Sequence, residues 1–192
     1  PPVYAIIILL TENCDSLLPT IRSRCVTLTM NPVEKDKICT YLENKFQLEP
    51  EQAQIAANYC QGNIGKAIRF ASSSDFIEMK NQVLKLLKNL DSMDIASIID
   101  TIKEFSTHKN DINDYLDLML LWYRDVLMFK VTKDANLLLY SDEYSAISEQ
   151  ATKRDYENIE NIIAAIDKAK VRLKANVNFD VTIELMILAM KD

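Results

Sequence analysis

Apolar residues recur every three to four positions along most of this chain, and that spacing predicts a mainly α-helical protein. The clearest series predict amphipathic helices over residues 76–90, 95–105 and 156–173. A further helix, from about Asn110 to Val131, is apolar nearly all round, which is typical of a helix at the centre of a bundle. We therefore expect the C-terminal part of the chain to be a helical bundle.

Three shorter helices are predicted between residues 31 and 74. The segment Asn31–Glu34 fits a capping box, with asparagine as N-cap, proline at the first helical position and glutamate at the third. Gly62 is a plausible stop for the second helix, and the third runs over about 64–71. The serine run 72–74 is typical of a linker, so we place a domain boundary there.

Residues 3–10 depart from the helical pattern. They are apolar and rich in β-branched side chains without alternation, as in a strand buried on both faces of a parallel sheet. Such a strand needs neighbours at both edges, and the chain adds only a brief strand or extended segment at 26–30 before it becomes helical. We therefore expect residues 1–30 to be the remnant of an α/β domain, and the chain to be the C-terminal part of a longer protein. The lack of an initiator Met before Pro1 agrees with this.

Composition narrows the possible functions. The net charge of −6 does not favour a nucleic-acid-binding surface, and the longest apolar run is far too short to span a membrane. The four cysteines contain no C-x-x-C pair, and there is one histidine, so a zinc site is not expected. We expect reduced thiols, as in the cytoplasm.

Catalytic motifs are also missing from the sequence. The two glycines, Gly62 and Gly65, are too few for a phosphate-binding loop or a dinucleotide-binding turn. One histidine, His108, would have to serve any nucleophilic triad. We therefore expect no complete catalytic centre, no bound cofactor and no metal in this chain.

Four stretches from the N-terminal region to the last helix carry a family resemblance. They are Leu17–Cys25 (LLPTIRSRC), Gly62–Ile68 (GNIGKAI), Trp122–Leu127 (WYRDVL) and Asn176–Leu185 (NVNFDVTIEL). In this order they resemble the clamp-loader branch of the AAA+ superfamily, and within it the delta-prime family of bacterial DNA polymerase III subunits. The first motif is fairly specific to that family, and the others add weight through their agreement with it.

The resemblance implies three domains and a role in DNA replication. Residues 1–30 would be the remnant of an AAA+ base domain, 31–74 a small helical lid, and 75–192 a helical collar that assembles the subunits. The chain would then belong to a cytoplasmic clamp loader, which loads the sliding clamp onto primed DNA as part of the polymerase holoenzyme. Its direct partners would be the delta and the gamma or tau subunits. The clamp and DNA would be indirect partners, with no membrane or small-molecule substrate, and a partner subunit would bind the ATP.

The resemblance also assigns a role to Arg24. In that family the arginine of the Ser-Arg-Cys motif projects into the ATP site of the neighbouring subunit, where a planar, permanently charged guanidinium suits phosphoryl oxygens. Ser23 and Cys25 support the motif, and we expect Ser23 to hydrogen-bond the turn and Cys25 to be a buried packing residue. From the residues alone, Arg24 could instead pair with a local carboxylate such as Asp15. Arg22 competes for the same role but precedes the serine.

The lid motif departs from the family pattern at Gly65. ATP-hydrolysing relatives carry an arginine there that reaches their own nucleotide. Lys66 lies about 100° further round the helix and should face elsewhere, while Gly65 could simply permit tight helix packing. This departure favours a delta-prime subunit over the gamma or tau ATPase subunit. That ATPase subunit stays an alternative, as does an unrelated helical scaffold or adaptor.

The aromatic pair Trp122–Tyr123 and the acidic Glu184 of the predicted collar are both expected to have structural roles. Trp122 and Tyr123 are expected in the core, although a subunit contact is the alternative. Glu184 lies inside an apolar helix, so we expect it to have a partner, such as Arg172 or Arg124.

Overall fold

Helices make up most of the protein. The computed structural model describes residues 4–11, 13–72 and 75–191, and within these ranges it contains ten α-helices and no β-strand. The helices are α1 (Pro19–Arg22), α2 (Lys35–Phe46), α3 (Pro50–Tyr59), α4 (Ile64–Ser72), α5 (Asp75–Asn89), α6 (Ile95–Ser106), α7 (Ile112–Thr132), α8 (Tyr144–Lys153), α9 (Tyr156–Lys174) and α10 (Phe179–Lys191). The predicted mainly α-helical class is confirmed.

The chain divides into two compact units, Pro1–Pro32 and Val33–Asp192. The first contains α1 and a short 3-10 turn at Cys14–Ser16, and the second contains α2 to α10. The predicted linker at 72–74 falls mostly outside the described residues, because residues 73 and 74 are not described and Ser72 ends α4. The division into lid and collar at this point stays a prediction.

The strand predicted for residues 3–10 is not present in its described part, residues 4–10, and residues 26–30 are not a strand either. Ile6, Ile8 and Leu10 are 91%, 77% and 92% exposed. A strand is held by backbone hydrogen bonds to its neighbours, and the described part of the chain supplies no other strand. The sequence pattern therefore reports what these residues prefer in a sheet, while the sheet itself is missing from the described residues.

Helix α2 begins at Lys35 rather than at the predicted cap residue Asn31. Glu34 occupies the N-cap position and makes no side-chain capping bond. The Val33 amide donates to the Gly62 carbonyl at 3.0 Å, which joins this segment to the α3–α4 connection. That contact from a distant part of the chain competes with the local capping box, so the prediction was wrong for the start of the helix.

The predicted lid helices α2–α4 and the predicted collar helices α5–α10 share a continuous core. The Phe70 ring stacks on Phe76 with centroids 4.3 Å apart, and Tyr59 of α3 packs edge-on against Tyr140 at 5.0 Å. Both contacts join a lid residue to a collar residue. The predicted lid and collar helices are therefore in direct contact on both sides of this boundary.

Helix α7 is central to the collar helices, as its apolar pattern predicts. It packs against α5, α8 and α9. Trp122 and Tyr123 are fully buried, which confirms the core interpretation. The Trp122 indole donates to Gln150 Oε1 at 3.0 Å, so its polar atom is satisfied inside the bundle.

Glu184 does not need the partner expected for it. Its side chain is exposed on α10, and Arg124 instead pairs with Asp125 at 2.6 Å. Helix α10 buries only one face, formed by Ile183, Met186 and their neighbours. Because Glu184 lies off that face, water solvates its carboxylate, and the prediction was wrong.

Candidate functional site

The Ser-Arg-Cys motif forms a tight turn directly after α1. Pro19 occupies the first turn of α1, where its missing N–H costs nothing. The Ser23 amide donates to the Pro19 carbonyl at 3.0 Å, and the Arg24 amide donates to the Ile21 carbonyl at 3.0 Å. These bonds extend the helical winding past the end of α1 and fix the backbone that carries the Arg24 side chain.

Arg24 is exposed on this turn. Across residues 4–11, 13–72 and 75–191, its guanidinium has no ion pair and no hydrogen bond to a side chain or carbonyl. Asp15, the carboxylate that could have paired with it, is bound by Arg22 at 2.5 Å. Arg22 therefore takes the local acid, and the internal pairing that was the alternative for Arg24 is not formed within the described part of the chain.

Ser23 and Cys25, on either side of Arg24, were predicted to bond the turn and to pack in a core, respectively, and only the first prediction holds. The Ser23 hydroxyl donates to the Thr20 carbonyl at 3.2 Å, so its predicted role in the turn is confirmed. Cys25 is exposed, and the prediction that it packs in a core was wrong. Neither α1 nor the 3-10 turn before it buries any residue, so there is no local core for the thiol to enter.

The lid motif carries a second arrangement of charges. Gly65 is exposed, and a Cβ there would approach only Asn63 Oδ1, at 3.2 Å, so nothing in the structure supports a role in tight helix packing. Lys66 of α4 faces α7. Its ammonium pairs with Asp114 at 2.9 Å and also binds Asp117.

Lys66 and the carboxylate of Asp117 affect each other's ionisation. Burial acts to lower the pKa of Lys66, but hydrogen bonds and charge from Asp117 and Asp114 outweigh it and raise that pKa above its usual value. Burial acts to raise the pKa of Asp117, but Lys170 and Lys66 outweigh it and lower that pKa. Both groups are therefore held in their charged forms. The lid motif draws attention to Lys66, but its acidic partners lie about fifty positions further along the chain, and no local pattern indicates them.

The described residues offer neither a metal site nor a membrane-spanning helix. No group of histidine, cysteine and acidic side chains among the described residues could hold a metal ion. The four cysteines are free thiols. None of the helices described is both long and apolar enough to cross a membrane.

The chain is similar to two known DNA polymerase III subunits, and a family model matches its N-terminal part. The family described as "DNA polymerase III, delta subunit" matches residues 1–34, which include the Ser-Arg-Cys turn. The DNA polymerase III subunit delta' of Bacillus subtilis (strain 168) is 30% identical to this chain over 188 residues, covering 96% of the chain. Over nearly all of its length the chain is therefore similar to a delta-prime subunit of DNA polymerase III. It spans 56% of the length of that delta-prime relative.

A second relative is more distant than this delta-prime subunit. The DNA polymerase III subunit tau of the same organism is 22% identical over 151 residues, covering 68% of the chain and 27% of the tau subunit. The similarity to delta-prime extends over more of the chain and at higher identity. The resemblance stated from the sequence motifs is therefore confirmed.

Proposed function

We propose that this chain is part of a delta-prime-type subunit of a clamp loader, which supports loading of the sliding clamp during DNA replication. The observation that carries the proposal is the similarity to a delta-prime subunit over 96% of the chain. In this role the chain has no catalytic centre of its own. It assembles with the delta and the gamma or tau subunits, acts on the clamp and primed DNA through them, and works in the cytoplasm.

Arg24 is the residue we propose as an arginine finger, acting on ATP bound by the neighbouring subunit. Its guanidinium is exposed, and Arg22 occupies the nearby carboxylate of Asp15. An arginine that is already paired inside its own subunit would have to break that pair before it could bind a phosphate. Arg24 carries no such cost within the described residues, and the Ser23 hydroxyl steadies the turn that bears it.

Collar-mediated assembly is supported by the outer face of α10. Val181, Leu185 and Leu188 follow one another at helical spacing and are 48%, 46% and 40% exposed. Val177, just before the helix, is a further exposed apolar residue, at 45%. An exposed apolar row of this kind is typical of a protein-interaction surface. We propose that it packs against the collar of another clamp-loader subunit.

The similarity to tau supports a second candidate, a fragment of the ATPase subunit. Gly65 argues against it, because ATP-hydrolysing relatives carry an arginine at that motif position. Lys66 cannot take over that arginine's contact while it is paired with two carboxylates of α7. The delta-prime role is therefore the better supported of the two, with ATP bound by the partner and not by this chain.

The finger role can be tested with Arg24→Ala in the full-length protein, assembled with its clamp-loader partners. We expect ATP-driven clamp loading onto primed DNA to fall roughly tenfold or more, since an arginine finger supplied in trans can contribute about 10³–10⁵ in rate. Assembly, followed by size-exclusion chromatography, should be unchanged, because the side chain is exposed.

Arg22→Ala is the matched control, because it removes the same group two residues away. It should reduce loading much less than Arg24→Ala does. Undiminished loading by Arg24→Ala, or an equal loss in both variants, would refute the finger role. Failure of the wild-type chain to co-elute with clamp-loader subunits would instead favour the unrelated scaffold.

A further inference from the structure

A charged seam joins α4 of the predicted lid to α7 and α9 of the predicted collar. Lys66 of α4 pairs with Asp114 Oδ1 at 2.9 Å and also with Asp117. Arg69, one turn further along α4, reaches Asp114 Oδ2 at 3.0 Å. Asp117 is held from its other side by Lys170 of α9. We call these five residues the α4–α7 ion cluster.

Three side chains of the α4–α7 ion cluster are largely buried. The Asp114 side chain is 8% exposed, and those of Lys66 and Asp117 are each 25% exposed. Exposed ion pairs contribute little to stability, but removing one partner of a buried pair leaves a desolvated charge and costs much more. Lys66 touches both carboxylates, so its loss would affect the whole cluster. Among the described side chains of the lid helices, Lys66 alone makes an ion pair with both carboxylates.

An aromatic row crosses the same boundary at a second place. Tyr59 of α3 packs on Tyr140 with centroids 5.0 Å apart, and Tyr140 packs on the buried Trp122 of α7 at 5.4 Å. Phe70 of α4 stacks on Phe76 of α5 at 4.3 Å. Aromatic pairs in these arrangements add stabilisation beyond the area that they bury. The lid helices are thus held to the collar helices at two separate places.

We propose that the α4–α7 ion cluster couples the lid helices to the collar helices, and that Lys66 is the residue that fixes α4 against α7. Residues 33–192 form a single compact unit, which supports this. The motif that reaches nucleotide in ATP-hydrolysing relatives here has an exposed glycine followed by a lysine that binds the collar. The inference goes beyond the proposed function, because it concerns neither Arg24 nor the outer face of α10.

Hydrogen exchange measured by mass spectrometry on the isolated full-length protein tests the proposal without any partner subunit. In Lys66→Met, which keeps the length of the side chain and removes its charge, amides of α2–α4 should exchange roughly tenfold faster. Amides on the buried side of α9 and α10 should keep their protection. Lys66→Arg should retain most of the wild-type protection of the lid helices.

Lys168→Met is the matched control, because Lys168 is an exposed lysine of α9 two residues before Lys170. It should leave exchange in both groups of helices unchanged. Unchanged lid exchange in Lys66→Met would overturn the proposal. So would an equal acceleration across α2–α10, because Lys66 would then stabilise the whole unit without fixing the lid to the collar. These readouts need no clamp loading, so they stand or fall separately from the role of Arg24.

Discussion

Asp125 shows how one buried carboxylate organises a long connection. It is fully buried on α7 and accepts hydrogen bonds from the Leu139 amide at 2.7 Å and the Tyr140 amide at 2.8 Å. Arg124, its neighbour in sequence, supplies the opposite charge at 2.6 Å. Asp125 therefore holds the segment between α7 and α8 in place, and with it the Tyr140 ring that contacts the lid.

Replacing this carboxylate should be costly. We expect Asp125→Ala to lower the free energy of unfolding by about 3 kcal/mol, because the buried Tyr140 amide and the half-buried Leu139 amide lose their acceptor. Chemical denaturation followed by circular dichroism would measure it. Asp167→Ala, at an exposed position of α9, should stay within about 0.5 kcal/mol of wild type. Equal effects in the two variants would contradict this account of Asp125.

The ion pairs of Asp117 with Lys66 and Lys170 predict that the stability of the protein depends on pH. Lys170 and Lys66 outweigh burial and lower the pKa of Asp117, so the unfolded chain takes up a proton at that residue more readily than the folded protein does. Its stabilising contribution should be complete above the ordinary aspartate pKa of about 3.9 and should be lost as pH falls below it. Asp117→Asn should therefore destabilise the protein near pH 7 and much less near pH 3. A difference from wild type that does not change between these pH values would refute the argument.

Side-chain pairs of this kind could not be predicted from the sequence. The direction of Lys66 follows from helix geometry, and its position beside Gly65 drew attention to the motif. Its acceptors Asp114 and Asp117 lie on another helix, and their closeness depends on how α4 and α7 pack. The exposure of Cys25 was missed for a related reason, because burial depends on a core that neighbouring residues do not reveal.

At the scale of elements, apolar periodicity predicted the collar helices closely. The series at 95–105 and 156–173 correspond to Ile95–Ser106 and Tyr156–Lys174. Periodicity reports directly which face packs, so the length of a long amphipathic helix can be predicted from sequence. The start of α2 could not be predicted from the sequence, because the Val33–Gly62 hydrogen bond that precedes it joins residues far apart in the chain.

The outer face of α10 yields a prediction about assembly. Leu185→Asp in the full-length protein should weaken co-elution with other clamp-loader subunits, because a carboxylate would interrupt the apolar row. Its helical content should be retained, since Leu185 is 46% exposed. Thr152→Asp, which adds the same charge at an exposed position of α8, is the control. Normal co-elution of Leu185→Asp would remove this face from the proposed interface.

At the scale of the molecule, the two units differ in how far sequence could predict them. The helices of residues 33–192 bury one another, so the pattern that predicts them is also satisfied by their packing. Residues 4–10 carry the pattern of a sheet strand, and the described part of the chain contains no sheet to receive it. Pattern alone states what a segment prefers, and it cannot say whether the partners that satisfy the preference are at hand.

The thiol beside Arg24 has a practical consequence. Since Cys25 is exposed, a maleimide dye can be attached one residue from Arg24 once the exposed Cys14 and the half-buried Cys39 are changed to serine. If Arg24 is the arginine finger, as we propose, the fluorescence of this dye should change when the turn enters or leaves the nucleotide site of a neighbouring subunit. The exposed Cys25 thiol thus offers a labelling site directly beside the proposed arginine finger.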